Sequence, residues 1–173
     1  MVRAADPAAR LNLSNRPERA EAKPEENNMT IHRMDHVGMV VEDLAAAVAF
    51  FVELGLELEG EATVGGQWAD DLLGLDGVRA DIAVVRTPDG RSRVELSTFL
   101  SPTTTSAAPK ASVNTPGIPR LTFVVDDVDD VLDRLRAHGA ELVGAVARYE
   151  DIYRYSYVRG PEGIIIGLVQ ELR

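Results

Sequence analysis

Laid over itself at an offset of 84 residues, the chain matches itself. The stretch MDHVGMVVEDLAAAVAFFVELGLELEGEA, residues 34–62, lies on IPRLTFVVDDVDDVLDRLRAHGAELVGAV, residues 118–146, without a gap. Val40, Val41, Asp43, Gly55, Glu57, Leu58 and Gly60 meet identical residues at Val124, Val125, Asp127, Gly139, Glu141, Leu142 and Gly144. Further along, at an offset of 73, VRTPDG (85–90) lies on VRGPEG (158–163). A repeat of this length is one supersecondary unit, so the chain is expected to be two copies of one unit.

Each copy reads as β-α-β-β-β. Asp43 and Asp127 stand where an N-cap carboxylate accepts from the free amides of a first helical turn, and Gly55 and Gly139 where a left-handed residue closes the helix. In the second copy Val128, Val131, Leu132 and Leu135 follow the helical period, with Asp129 and Asp130 at the start and Arg134, Arg136 and His138 at the end, matching the helix dipole. His138 is accordingly expected to be a solvated helix-end residue. TPDG and GPEG close strand pairs as turns. The fold class is α+β, with two tandem β-α-β-β-β modules forming a cupped mixed sheet. Module one spans 31–100, a proline-bearing loop 101–117, and module two 118–173. Residues 1–29 are rich in Ala, Pro, Glu, Arg and Asn without usable periodicity and are expected to be a disordered tail. Met29, where the patterned sequence begins, offers a second start of translation.

The formal charge is −10, and the tail is balanced, with five basic and five acidic residues, so the excess lies on residues 30–173. Such a surface repels nucleic acid and anionic lipid, and neither is expected as a partner. There is no cysteine, which removes disulfides and thiolate metal sites. No apolar run approaches the roughly 20 residues of a membrane span, and the start lacks the apolar segment of a secretory signal. A cytoplasmic location is expected.

With DHVGMVVEDL opening the first unit, VELS ending it, LTFVVDDVDDVLDRLRAHGAEL opening the second and VRGPEGIIIGLVQ ending that, the chain resembles the vicinal oxygen chelate superfamily over about 31–172. This group includes glyoxalase I, methylmalonyl-CoA epimerase, extradiol dioxygenases and bleomycin resistance proteins. The resemblance implies a glyoxalase-like fold, and metal-dependent members hold a divalent ion with four residues, one on the first and one on the last strand of each module. Carried over, these are His36 and Glu95 in module one, and Arg120 and Gly167 in module two, where His and Glu are usual. Two ligands remain, beside a guanidinium that repels cations. A divalent zinc, nickel, manganese or iron ion at His36 and Glu95 is thus a partial site, completed by Glu150, Asp151, a partner carboxylate or substrate oxygens.

Read without a metal, Arg120 anchors a carboxylate or phosphate, or pairs with Glu95. Glu95 or His36 acts as a base next to a carbonyl, with Arg120 stabilising the developing enolate. Arg93, Glu95 and Ser97 share one strand face, expected to be concave, so that imidazole, carboxylate and guanidinium meet in one cavity. Tyr153, Tyr155 and Tyr157 alternate and share a face, which is either an aromatic wall of that cavity or a packing surface. Trp68 either caps the cavity mouth or packs. Gly38 and Gly167, facing inward, are expected to enlarge it. Two functions stay open: a lyase or isomerase of the glyoxalase or epimerase kind acting on a carbonyl or thioester, and a ligand-sequestering protein of the resistance kind. A dioxygenase ranks below both, because the three histidines do not assemble its iron ligands; His32 is expected at the surface. The resemblance also implies a homodimer that completes the cup.

Overall fold

The Asp43 carboxylate accepts from the Ala46 amide at 2.9 Å, and that of Asp127 from Asp129 and Asp130 at 2.8 and 3.1 Å, so both main helices begin where the sequence predicts. Gly55 at φ 116° and Gly139 at φ 80° take the left-handed turn after them, a conformation that residues with a Cβ rarely adopt. This computed structural model describes residues 33–103 and 120–172. The predicted tail 1–29, His32 and most of the loop 101–117 lie outside the described residues.

Module one runs β1 (Val37–Val40), α1 (Leu44–Leu54), β2 (Glu57–Gly65), α2 (Gln67–Leu73), β3 (Arg79–Arg86) and β4 (Arg93–Ser101). Module two runs β5 (Arg120–Val124), α3 (Val128–Arg136), β6 (Glu141–Tyr149), β7 (Tyr153–Arg159), a 3-10 turn at Pro161–Gly163 and β8 (Ile165–Glu171). Each module builds its own mixed sheet, in the order β1-β4-β3-β2 and β5-β8-β7-β6, with β1 parallel to β4, β5 parallel to β8 and the remaining pairs antiparallel. The short helix α2 is an addition to the expected pattern. Its Asp70 carboxylate accepts from the amides of Gly77 and Val78 at 3.1 and 2.6 Å and so ties the following loop back to the helix.

One core serves both modules. Helix α1 packs on β3 and β4 of its own sheet, and also on α3 and the 3-10 turn of module two. Phe50 and Phe51, both fully buried, meet edge to face at 5.5 Å and join Leu96 and Val85 to Val128, Leu135, Ile166 and Leu168 in a single apolar cluster. At the rim of this layer the Glu53 carboxylate accepts from Arg134 at 2.9 Å and faces His138 at 3.7 Å. His138 is an exposed helix-end residue, as expected, and it also approaches Glu53 of module one.

Because side chains alternate along strands, filling one face of each sheet with this core fixes what the other face carries. On β1, β4 and β3 the uncovered face carries His36, Gly38, Val40, Glu95, Val84 and Ile82. In module two it carries Arg120, Thr122, Val124, Tyr153, Tyr155, Tyr157 and Gly167. The registers Gly38–Glu95–Val84 and Thr122–Gly167–Tyr157 put these residues in continuous rows across each sheet.

Candidate functional site

On the uncovered face of module one His36 and Glu95 come together, as the sequence predicts. The Nε2 atom of His36 lies 3.9 Å from a Glu95 oxygen, and its Nδ1 atom 3.2 Å from a carboxylate oxygen of the adjacent Asp35. Both ring nitrogens therefore face a carboxylate. The parallel pairing of β1 with β4 sets this up, since Gly38 lies opposite Glu95 and His36 is one step further along the same face. A Cβ at Gly38 would meet nothing within 4 Å, so the space beside Glu95 is open.

Asp35, His36 and Glu95 line a cavity of about 440 Å³ that also includes the apolar Ile82 and Val84. Its far wall holds a pair that sequence reasoning missed. Arg93 donates to both oxygens of Glu59, at 2.6 and 3.0 Å, across 34 residues of sequence. The Arg93 hydrogen bond holds the Glu59 carboxyl below its ordinary value, and the same bond raises Arg93. Arg93 was legible as a neighbour of Glu95 on β4. Its partner was not, because Glu59 falls at the register shift between Leu58 and Gly60, where alternation breaks down.

The second set gathers on module two. Arg120 donates to the Tyr157 hydroxyl at 3.4 Å, with its guanidinium carbon 5.7 Å from that ring's centre. The hydroxyls of Tyr155 and Tyr157 lie 3.3 Å apart, and Thr122 is 3.1 Å from that of Tyr155. Burial pushes the Tyr155 phenol above its ordinary value, the Thr122 hydrogen bond opposes this, and the Tyr157 hydroxyl adds to the rise. Tyr153 shares the face. Thr122 was legible as the residue alternating with Arg120.

Within one chain the two sets do not meet. Every residue lining the module-one cavity comes from that module, and Arg120 forms no ion pair with Glu95 among the described residues. The single cavity expected to unite imidazole, carboxylate and guanidinium is therefore divided, because α1 and α3 pack together and leave each sheet its own uncovered face. The expectation for Gly167 also changes. A Cβ there would lie 2.6 Å from Thr122 Oγ1 and 2.7 Å from the Tyr155 hydroxyl, so that space is filled rather than added to a cavity. Trp68, on α2, is 59% exposed and does not line the cavity. Asp151 is tied to Arg148 in the β6–β7 turn.

A family model described as the glyoxalase/bleomycin resistance protein/dioxygenase superfamily matches residues 35–157. The chain belongs to this superfamily. A glyoxalase family protein from Bacillus cereus is 50% identical, with 85% of this chain and 99% of that one covered, at a TM-score of 0.80. The trypanothione-dependent glyoxalase I of Leishmania major is 17% identical over 82% of this chain and 88% of its own, at a TM-score of 0.56. The fosfomycin resistance protein FosX of Listeria monocytogenes is 15% identical over 82% of this chain and 94% of its own, at 0.51. The last two similarities show the glyoxalase-like fold. No curated protein sequence matches the chain.

Many superfamily members hold a divalent ion, and the residues of this one do not fit it. Module one offers His36 and Glu95. At the corresponding positions of module two stand a guanidinium and a glycine whose side-chain space is taken by two hydroxyls. Among the described residues no cluster of three or more His, Asp or Glu side chains is placed to hold a metal. A divalent ion needs more donors than two, and a charged arginine repels it.

Proposed function

We propose that this superfamily member binds a small organic anion, without a protein-held metal, in a cup closed between two copies. Module one of one chain faces module two of the other. The observation that carries this reading is the division of the site: His36 and Glu95 on one uncovered face, Arg120 and the tyrosines on another, with the helix side of both sheets spent on one shared core. Among the described residues β1, which His36 directly precedes, and β5, which begins at Arg120, are the edge strands of their sheets, so each has a side open to a neighbour.

In such a cup Arg120 takes an anionic oxygen of the ligand, and Glu95, with His36 beside it, faces the ligand body from the opposite wall. A carboxylate so placed is a base for a proton next to a carbonyl, with the guanidinium balancing the charge that develops. This is the isomerase or lyase form of the reading. Without turnover the same cup sequesters its ligand. The replacement of both module-two ligand positions by Arg120 and Gly167 favours sequestration over metal-assisted chemistry.

Sedimentation equilibrium together with thermal shift against a panel of small carboxylates and their neutral amides tests the proposal. A dimer stabilised by carboxylates, equally with and without EDTA, is the expected result. A ligand at about a hundred times its dissociation constant adds about 2.7 kcal/mol, an easily read shift. A monomer, or stabilisation that EDTA abolishes, refutes it.

A further inference from the structure

The hydroxyl array on module two has a direction. Tyr155 donates to the Tyr157 oxygen at 3.3 Å, and Arg120 Nη1 donates to the same oxygen at 3.4 Å. The single proton of Tyr155 is spent in that bond, so at the 3.1 Å contact Thr122 is the donor and Tyr155 the acceptor. The chain then runs Thr122 to Tyr155 to Tyr157, with Arg120 converging from the other side. What remains is the Tyr157 proton, which has no acceptor among the described residues.

Two features show that this array is built into the fold. Thr122 and Tyr155 meet directly over Gly167, at a spot where a Cβ would lie within 2.7 Å of both hydroxyls, so glycine is the residue that admits them. And Arg120, unlike Arg86, Arg93, Arg134 and Arg154, which pair with carboxylates, faces phenols. Its charge is not cancelled by an acid among the described residues. Elsewhere on the same sheet face stand apolar and aromatic side chains, with Val124 71% and Tyr149 44% exposed.

We propose that Tyr157 and Arg120 form a two-pronged subsite for one oxyanion, of the class of an organic carboxylate with a flat or apolar body. Tyr157 O–H and the Arg120 guanidinium each donate to the anion. Tyr155 and Thr122 are positioning residues, which occupy the Tyr157 lone pair and turn its proton outward. Donation into a phenol oxygen also polarises its O–H bond and strengthens the outgoing hydrogen bond. The inference rests on the anion-binding reading above and names the groups that read the anion.

The test uses the full chain labelled with 13C at the tyrosine ζ carbon, its four tyrosines assigned by substitution with phenylalanine. Benzoate is the probe and benzamide its neutral isostere. Benzoate is expected to move the Tyr157 signal saturably and to bind more tightly than benzamide. Tyr157→Phe should weaken benzoate about tenfold and leave benzamide unchanged, as befits the loss of one hydrogen bond to a charged group. Tyr155→Phe should give a smaller loss of the same selectivity, a readout that general loosening of the fold would not move. Arg120→Gln, at an exposed strand end, serves as the second variant and should abolish the preference for benzoate. Equal binding of benzoate and benzamide, an unmoved Tyr157 signal, or undiminished benzoate affinity in Tyr157→Phe would overturn the proposal. Sedimentation of the same samples separates the two readings. Benzoate held at Tyr157 by a monomer keeps the subsite and removes the shared cup, whereas a dimer indifferent to benzoate removes the subsite and keeps the cup.

Discussion

Gly167→Ala adds one methyl group at the point where the module-two array is tightest. The new Cβ would stand 2.6 Å from Thr122 Oγ1, 2.7 Å from the Tyr155 hydroxyl and 3.2 Å from Thr122 Cγ2. Rotating Thr122 gives little relief, since its side chain is stiff and brings its methyl to the place its hydroxyl leaves. Tyr155 must therefore swing away, breaking its 3.1 Å contact with Thr122 and its 3.3 Å contact with Tyr157. Overpacking of this kind costs about 1–3 kcal/mol, and each lost hydrogen bond about 1 kcal/mol at most here, because both are long. The expected total is about 2 kcal/mol by urea denaturation, against the background of typical point substitutions. Repeating Gly167→Ala in a Tyr155→Phe background removes one of the two obstructing oxygens, so the cost should fall by about 1 kcal/mol in the double-mutant cycle. A cost below about 0.5 kcal/mol, or the same cost in both backgrounds, would refute the placement of the hydroxyls over Gly167. Gly167→Glu, the change that would restore a fourth ligand, meets the same obstruction, and no gain of metal affinity is expected from it alone.

Phe50→Ala removes a fully buried ring from the layer shared by both modules; it should cost about 3–5 kcal/mol and keep a single unfolding transition by fluorescence and circular dichroism. Ser156 is buried with its hydroxyl unpartnered among the described residues, so Ser156→Ala should leave stability unchanged or raise it by up to about 1 kcal/mol in the same urea assay. The Glu59 carboxyl is held below its ordinary value of 4.5 by the Arg93 hydrogen bond. Its contribution is therefore in place above that pH and is lost as pH falls through the lower folded value, so Glu59→Gln should flatten the stability curve only in that acid window.

The repeat and the helix caps were legible because they depend on residues a few positions apart: a carboxylate at Asp43 or Asp127 needs only its own first turn. The shared face of Tyr153, Tyr155 and Tyr157 follows from strand alternation for the same reason, as does the meeting of His36 with Glu95 once the repeat places both strands. What the sequence left open depends on contacts between distant elements. The packing of α1 on α3 rests on shape around Phe50 and Leu135, and it is this packing that keeps Arg120 away from Glu95. The role of Gly167 was misread because a missing side chain looks like space until Tyr155 and Thr122 are seen to fill it. The Arg93–Glu59 pair hid behind a strand irregularity. Helix α2, seven residues with Trp68 and Leu72 exposed, carries too short an apolar pattern to be told from a loop.

Closure of the cup between two copies can be tested without knowing the ligand, because the chain has no cysteine. Gly38→Cys places a thiol in open space beside Glu95, and Val124→Cys places one on the exposed tyrosine face of module two. The two variants are mixed, allowed to exchange subunits and treated with bismaleimide linkers of graded length. Covalent dimers that contain one chain of each variant are expected, with neither variant cross-linking alone. Cross-links confined to identical variants, or a mixture that stays monomeric, would contradict closure between copies.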